Sequence, residues 1–226
     1  MRSGSTLLLH LLMMSDDISG MGERNALYAS RADLSRLFLA TRLARHSPFR
    51  RLRYIVDQVN HNRLTPDSRL MNESRVRLLF LLRQPLPSIN SLMTLSRTYY
   101  GNSWTIGRAA DYYVERLEAL AALAAGLANP GCAAFVTYEA LVNSPQETLE
   151  SLRQFLGLRE PLPQTYRTYS FTRTRGDPMP GIAAGQISGG EPPEAVELSV
   201  SERQRVTTAY QQCSSALGRF APRPPS

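Results

Sequence analysis

The residues that follow Met1 carry the densest chemistry in the chain. RSGST, Arg2 to Thr6, runs directly into the apolar stretch LLLHLLMM. It sets a cation, a glycine and hydroxyls at the start of a helix, where unpaired backbone N–H groups point outward along a favourable dipole and hold anions. Gly4 lets the backbone approach a ligand closely, Ser3, Ser5 and Thr6 supply hydroxyls, and Arg2 adds charge. Two readings stand at this point, an oxyanion site and a capped surface helix. The NTPase pattern G-x-x-x-x-G-K-[ST] is absent, and the chain has no Lys to supply its charge.

A second group lies further on. Val76–Leu82 is a short, continuous apolar run bounded by Arg83 and Pro85, the pattern of a strand buried on both faces of a parallel sheet. Open α/β sheets bind ligands at the carboxyl ends of their strands, where Arg83 stands. Ser91, in RQPLPSINS, falls two turns into the helix that follows, so the two side chains can converge on one oxyanion; Ser88 is a lesser candidate. The bland alternative is an Arg paired with a surface acid and a helix-capping Ser. The strand ends in Arg83 rather than in the Asp that holds magnesium in P-loop ATPases and GTPases, so the loop looks built for an oxyanion without a metal. For proton abstraction the candidate is His61, in DQVNHN, because a neutral imidazole near pH 7 suits that task; Asp57 and Glu23 are the alternatives. His10 sits in an apolar helix and reads as structural, and His46 ends a helix.

These residues need a scaffold, and the bulk numbers allow one. A chain of 226 residues, 42% hydrophobic, builds a single substantial core, here residues 1–220, with APRPPS at 221–226 as a disordered tail. Asp16 and Asp17 close off the only candidate membrane run, and no cleavage site for a signal peptide follows it. The net charge is +7, and all 26 basic residues are Arg, whose planar fork binds phosphate or sulfate bidentately. They are scattered rather than massed, which favours a small anionic ligand over nucleic acid. Cys132 and Cys213 lie far apart, without C-x-x-C or a His cluster at zinc spacing; this is the pattern of a reduced, cytoplasmic protein without a metal site.

The element pattern alternates. Helices are expected over residues 5–15, 33–45, from about Pro87, over 104–128, over 145–156 with Ser144 as N-cap and Gly157 as stop, and over 201–217. Strands are expected at Tyr54–Val56, Val76–Leu82 and within CAAFVTYEAL, while SDDISGMGERN and residues 159–200 read as irregular. Strands alternating with helices define βαβ units. The expectation is an α/β, P-loop-like three-layer fold with a central parallel sheet flanked by helices.

Taken together, RSGSTLL, the R-x7-S pair after an apolar strand, and VTYEALVNSPQETLESLRQFLGL resemble the PAPS-dependent sulfotransferases, in order over roughly residues 2 to 190. SGMGERN and the GDPM of residues 176–179 are similar to bacterial and carbohydrate-type members. The resemblance implies a sulfotransferase that moves a sulfuryl group in line from 3′-phosphoadenosine-5′-phosphosulfate (PAPS) to an acceptor hydroxyl. The acceptor class would be a sugar or a small natural product. It assigns Arg2, Ser3, Gly4, Ser5 and Thr6 to the 5′-phosphosulfate and Arg83 and Ser91 to the 3′-phosphate, with Arg173 or Arg175 reaching it from a basic loop. His61 becomes the proposed base. Family members carry a Lys near the leaving oxygen where this chain has Gln58 or Asn60, which leaves that role to Arg2. Two other classes compete: a P-loop kinase or NTPase, and a non-catalytic protein that retains the fold. In the resembled fold a strand near the sheet centre precedes the loop, and Met1 stands where its last residue belongs. Either the chain is shortened, by an alternative start or a gene-model error, or other residues fill that slot. A gap or a rearranged strand is therefore expected beside Val76–Leu82.

Overall fold

The computed structural model describes residues 2–44, 51–99, 101, 103–172, 180–187 and 196–221. His46, Arg173, Arg175 and the GDPM segment lie outside them, as does all but the first residue of the expected tail.

The elements in chain order are α1 (Ser5–Leu12), β1 (Ile18–Gly20), α2 (Arg31–Ala44), β2 (Tyr54–Val56), α3 (Ser68–Met71), β3 (Leu78–Leu82), α4 (Pro85–Tyr99), α5 (Ile106–Ala125), β4 (Ala133–Thr137), α6 (Tyr138–Asn143), α7 (Pro145–Leu156) and α8 (Val200–Leu217). The four strands pair in parallel, β1 with β2, in register Ile18 to Tyr54, and β3 with β4, in register Leu78 to Ala133, and a single antiparallel bridge joins Thr165 to Gln186 among the described residues. Among the described residues these form two separate two-stranded sheets, so β2 and β3 each keep one edge outside any ladder.

Side chains alternate across β3 and β4, and the alternation sorts them into two apolar layers. Leu81, Ala134 and Val136 face one layer with Leu7, Leu8, Leu11 and Leu12 of α1 and Leu149, Leu152 and Leu156 of α7. Phe80, Leu82 and Ala133 face the other, with α4, α5 and α8. This is the expected α/β arrangement, with a parallel sheet between helical layers.

Local chemistry sets most boundaries. α7 places Leu149, Leu152 and Leu156 on one buried stripe, and Gly157 closes it in the left-handed region at φ 60°, as expected. Ser144 stands at its N-cap position but makes no side-chain cap bond. Thr105 caps α5 by accepting from the Arg108 N–H. α8 opens with a full capping box, Ser199 accepting from the Glu202 N–H while the Glu202 carboxylate accepts from the Ser199 N–H. Ser199→Ala is expected to cost about 1 kcal/mol, a fall in Tm of roughly 2–4 °C by calorimetry.

Three expectations need correction. YEAL belongs to a helix rather than to the strand end, because Thr137 accepts from the Ala140 N–H and starts α6 at Tyr138. The helix expected to reach Ala128 stops at Ala125. SDDISG is not wholly irregular, since Ile18–Gly20 pairs with β2. The irregular stretch before α8 is tied to the core at several points: Leu162, Tyr166 and Ile182, the last in a short 3₁₀ turn at Pro180–Ala184, are buried with the α1 and α7 leucines, and Val196 and Leu198 are buried in the other layer.

Candidate active site

The turn ahead of α1 lies at the carboxyl ends of β2 and β3. Gly4 occupies the left-handed region at φ 84°, ψ 17° and is the N-cap residue of α1. A Cβ there would lie 2.5 Å from Tyr138 Cδ2, so both conformation and space select glycine. No acidic residue lies in the first turn of α1 to compete with an anion for the helix N-terminus.

Long-range contacts join this turn to the residues after β3. Arg2 Nε donates to Ser91 Oγ at 2.9 Å, and Arg83 Nη1 donates to the Arg2 carbonyl at 3.3 Å. The Arg83 guanidinium lies over the Tyr138 ring, 4.2 Å from its centroid. The Arg83 carbonyl accepts from Tyr113 Oη at 2.7 Å and from Ser88 Oγ, which places buried Ser88 in the scaffold rather than among ligand contacts. Thus Arg2, Arg83 and Ser91, 89 positions apart at the extremes, meet at one place.

The other flank is the loop after β2. Ser5 Oγ donates to Asn60 Oδ1 at 3.1 Å, and Thr6 Oγ1 to Gln58 Oε1 at 3.4 Å. Asn60 Nδ2 in turn donates to Glu23 Oε2 at 3.0 Å. Glu23 Oε1 is buried without a hydrogen-bond partner and lies 3.6 Å from His61 Nε2; the buried Gln58 Nε2 also lacks a partner. A cavity of about 120 Å³ opens here, with Ser3, Ser5, Gln58, Asn60 and Arg116 among its lining residues. Burial holds the His61 imidazole below its ordinary pKa, and the cations Arg63 and Arg116 push the same way against the opposing pull of the Glu23 carboxylate. The ring is therefore neutral near pH 7.

The three candidate bases separate on geometry. Asp57 has one carboxylate oxygen on the Arg24 N–H and the other on the Tyr28 hydroxyl, and burial raises its pKa. With both oxygens tied down it is a scaffold group. His61 and Glu23 stand next to each other beside the Ser5 turn. His10 is buried between the Thr6 carbonyl and Thr172 Oγ1, packed against Tyr166, Tyr169 and Phe171, the structural role expected of it.

Two residues that hold this flank were not singled out from the sequence. Arg116 donates to the Val59 carbonyl and to Asn62 Oδ1, and Tyr112 Oη donates to the Asn60 carbonyl at 3.2 Å and lies 3.3 Å from His61 Nδ1. They are one turn apart on α5, and a buried Arg on an Ala- and Leu-rich helix was the available signal. Among the described residues no group of three His, Cys, Asp or Glu side chains could hold a metal ion, and no helix is long and apolar enough to cross a membrane.

Parallel strands between helical layers, with a glycine turn, a strand-end Arg and a helix Ser brought together, can be set beside proteins of known structure and family. Residues 75–161 match the sulfotransferase family model. The solved structure of a sulfotransferase domain from the curacin biosynthetic pathway superposes with a TM-score of 0.61 at 17% identity, over 93% of this chain and 94% of that one. The likeness to the sulfotransferases read from the sequence is thus borne out in fold, and in the family-model match over residues 75–161. No curated protein matches the chain.

Proposed function

We propose that this protein transfers a sulfuryl group from PAPS to the hydroxyl of a small acceptor. The observation that carries the reading is the convergence of Arg2, Arg83 and Ser91 beside the N-terminus of α1. It brings two guanidinium groups and the Ser91 hydroxyl to the N-terminus of α1, whose first turn carries no carboxylate. This donor set fits a phosphosulfate. Arg2, Ser3, Gly4, Ser5 and Thr6 would hold the 5′ end, and Arg83 and Ser91 the 3′-phosphate. When bound, PAPS supplies an activated sulfuryl group whose departure leaves charge on a phosphate oxygen.

The chain's own residues then have defined tasks. Arg2 and the α1 amides stabilise the charge that grows on the leaving side. Gln58 and Asn60 are amides rather than cations; their bonds to Thr6 and Ser5 hold the turn in place. His61 Nε2 takes the acceptor proton, and Glu23 steadies the imidazolium that results. The Arg residues carry the charge stabilisation, and no step needs a metal. The fold is shared with a domain of a natural-product pathway, which supports a small hydroxylated acceptor of natural-product or sugar type.

Calorimetry with 3′-phosphoadenosine 5′-phosphate (PAP) tests the nucleotide assignment. Arg83→Ala removes a charge-assisted contact worth about 1.5–3 kcal/mol, so affinity should fall roughly ten- to a hundredfold. Equal affinity of the two proteins would remove Arg83 from the site. Tight PAP binding without turnover of any acceptor would favour a non-catalytic protein of the same fold.

A further inference from the structure

Three atoms beside the Ser5 turn fix where the proton of neutral His61 sits. Tyr112 Oη lies 3.2 Å from the Asn60 carbonyl oxygen and 3.3 Å from His61 Nδ1. A carbonyl oxygen only accepts, a phenol has one proton to give and lone pairs to receive, and an imidazole nitrogen does one or the other. Both contacts are hydrogen bonds together in one way alone: the phenol donates to the carbonyl, and Nδ1–H donates to the phenol oxygen. A neutral ring protonated on Nδ1 has a bare Nε2. At that end of the ring, Nε2 stands 3.6 Å from Glu23 Oε1, past hydrogen-bond distance, and this oxygen has no hydrogen-bond partner. No proton is shared there.

The phenol can select a tautomer because its own position and charge are set. Burial raises the Tyr112 pKa above its ordinary value, so the hydroxyl keeps its proton near pH 7. Its ring meets Trp104 edge to face, with centroids 5.3 Å apart, and the Arg108 guanidinium lies over Trp104 at 5.1 Å. One turn further along α5, Arg116 donates to the Val59 carbonyl and to Asn62 Oδ1. α5 thus grips the loop at Val59, Asn60 and Asn62, on both sides of His61. Among the described residues, the charged groups acting on the imidazole are Glu23, Arg63 and Arg116. Asn60 also accepts from Ser5 Oγ and donates to Glu23 Oε2, so the residue that orients the phenol is the one that ties the anion turn to the carboxylate.

We infer that Tyr112 is a positioning residue for the base: it holds His61 as the Nδ1–H tautomer and so presents a bare Nε2 to the acceptor hydroxyl. The acceptor's O–H bond breaks, its electron pair stays on oxygen, and the proton goes to Nε2. The imidazolium that forms keeps its Nδ1–H on Tyr112 Oη and turns its new Nε2–H toward the Glu23 carboxylate. The role in turnover rests on the sulfuryl-transfer reading, whereas the tautomer itself does not.

Nitrogen NMR spectra of the imidazole rings, in the full chain and in Tyr112→Phe, provide the test. The substitution removes one oxygen and leaves the ring against Trp104, and a His61→Ala spectrum identifies the His61 resonances. Near pH 7 the parent should show a protonated Nδ1 and a bare Nε2 on His61. Tyr112→Phe should move the ring toward Nε2–H, while PAP affinity, read at a separate cluster, stays within about twofold. Its kcat should fall roughly three- to tenfold with little change in the acceptor KM, the worth of one hydrogen bond. A parent spectrum with Nε2 protonated, or one His61 spectrum common to both proteins, would overturn the inference. So would a shifted tautomer with unchanged kcat, which would leave Tyr112 no part in positioning. The expected spectra without turnover of any acceptor by the parent would uphold the tautomer and sink the sulfuryl-transfer reading instead.

Discussion

His61→Ala should lower turnover of PAPS with a panel of small hydroxylated acceptors by about 100- to 10,000-fold, the usual contribution of a positioned general base. Affinity for PAP should stay within a fewfold of the parent, because His61 contacts Tyr112 and Glu23 rather than the Arg2–Arg83–Ser91 cluster. The parent's pH profile carries the same information. A base must be unprotonated, so activity is lost as pH falls through the His61 pKa, and burial sets that pKa below the ordinary 6.5. Glu23→Gln removes the one influence that raises it substantially, so the acid limb should move to still lower pH while the maximal rate falls less than in His61→Ala. The reverse pattern, near-normal turnover in His61→Ala and collapse in Glu23→Gln, would make the partnerless Glu23 Oε1 the base instead.

The sequence displayed those parts of the fold whose cause is local. LLFLL reads as a buried strand because every position is apolar, and α7 reads as a helix because Pro145, the Leu149–Leu152–Leu156 stripe and Gly157 lie within a single segment. β1 was hidden for the opposite reason. ISG has three residues and a glycine, and it becomes a strand only because β2 supplies the partner ladder. YEAL misled because its apolar and aromatic residues continue the β4 pattern, whereas the capping hydroxyl of Thr137 turns the backbone into a helix.

The candidate site divides along the same line. RSGST, Arg83, Ser91 and His61 could be chosen by residue type and spacing. That Arg2 bonds to Ser91, or that Asn60 links Ser5 to Glu23, follows from helix and strand packing that no spacing encodes. Asp57 and Glu23 could not be separated by type, since both are carboxylates on loops. Geometry separates them through the Tyr28 and Arg24 bonds that tie up Asp57. A break beside β3 was expected, and the structure has one; that β2 is the strand across a groove from β3 follows only from the two ladders together.

Gly4→Ala should damage both stability and nucleotide binding, and the two losses have separable causes. The first is conformational: a φ of 84° costs a non-glycine residue about 1–2 kcal/mol. The second is steric. The new methyl would meet Tyr138 Cδ2 at 2.5 Å and Cε2 at 2.9 Å, and relieving such overpacking typically costs a further 1–3 kcal/mol. The steric part is transmitted, because the Tyr138 ring lies under the Arg83 guanidinium at 4.2 Å, and a displaced ring moves the cation. PAP affinity should therefore fall at least as far in Gly4→Ala as in Arg83→Ala, although residue 4 carries no charge. Tyr138→Ala removes the obstacle, so in the double variant the stability cost of Gly4→Ala should shrink to the conformational part alone. Chemical denaturation of the four proteins of this cycle measures the coupling directly. A cost for Gly4→Ala that is the same with and without the Tyr138 ring would show that conformation alone selects glycine at the turn.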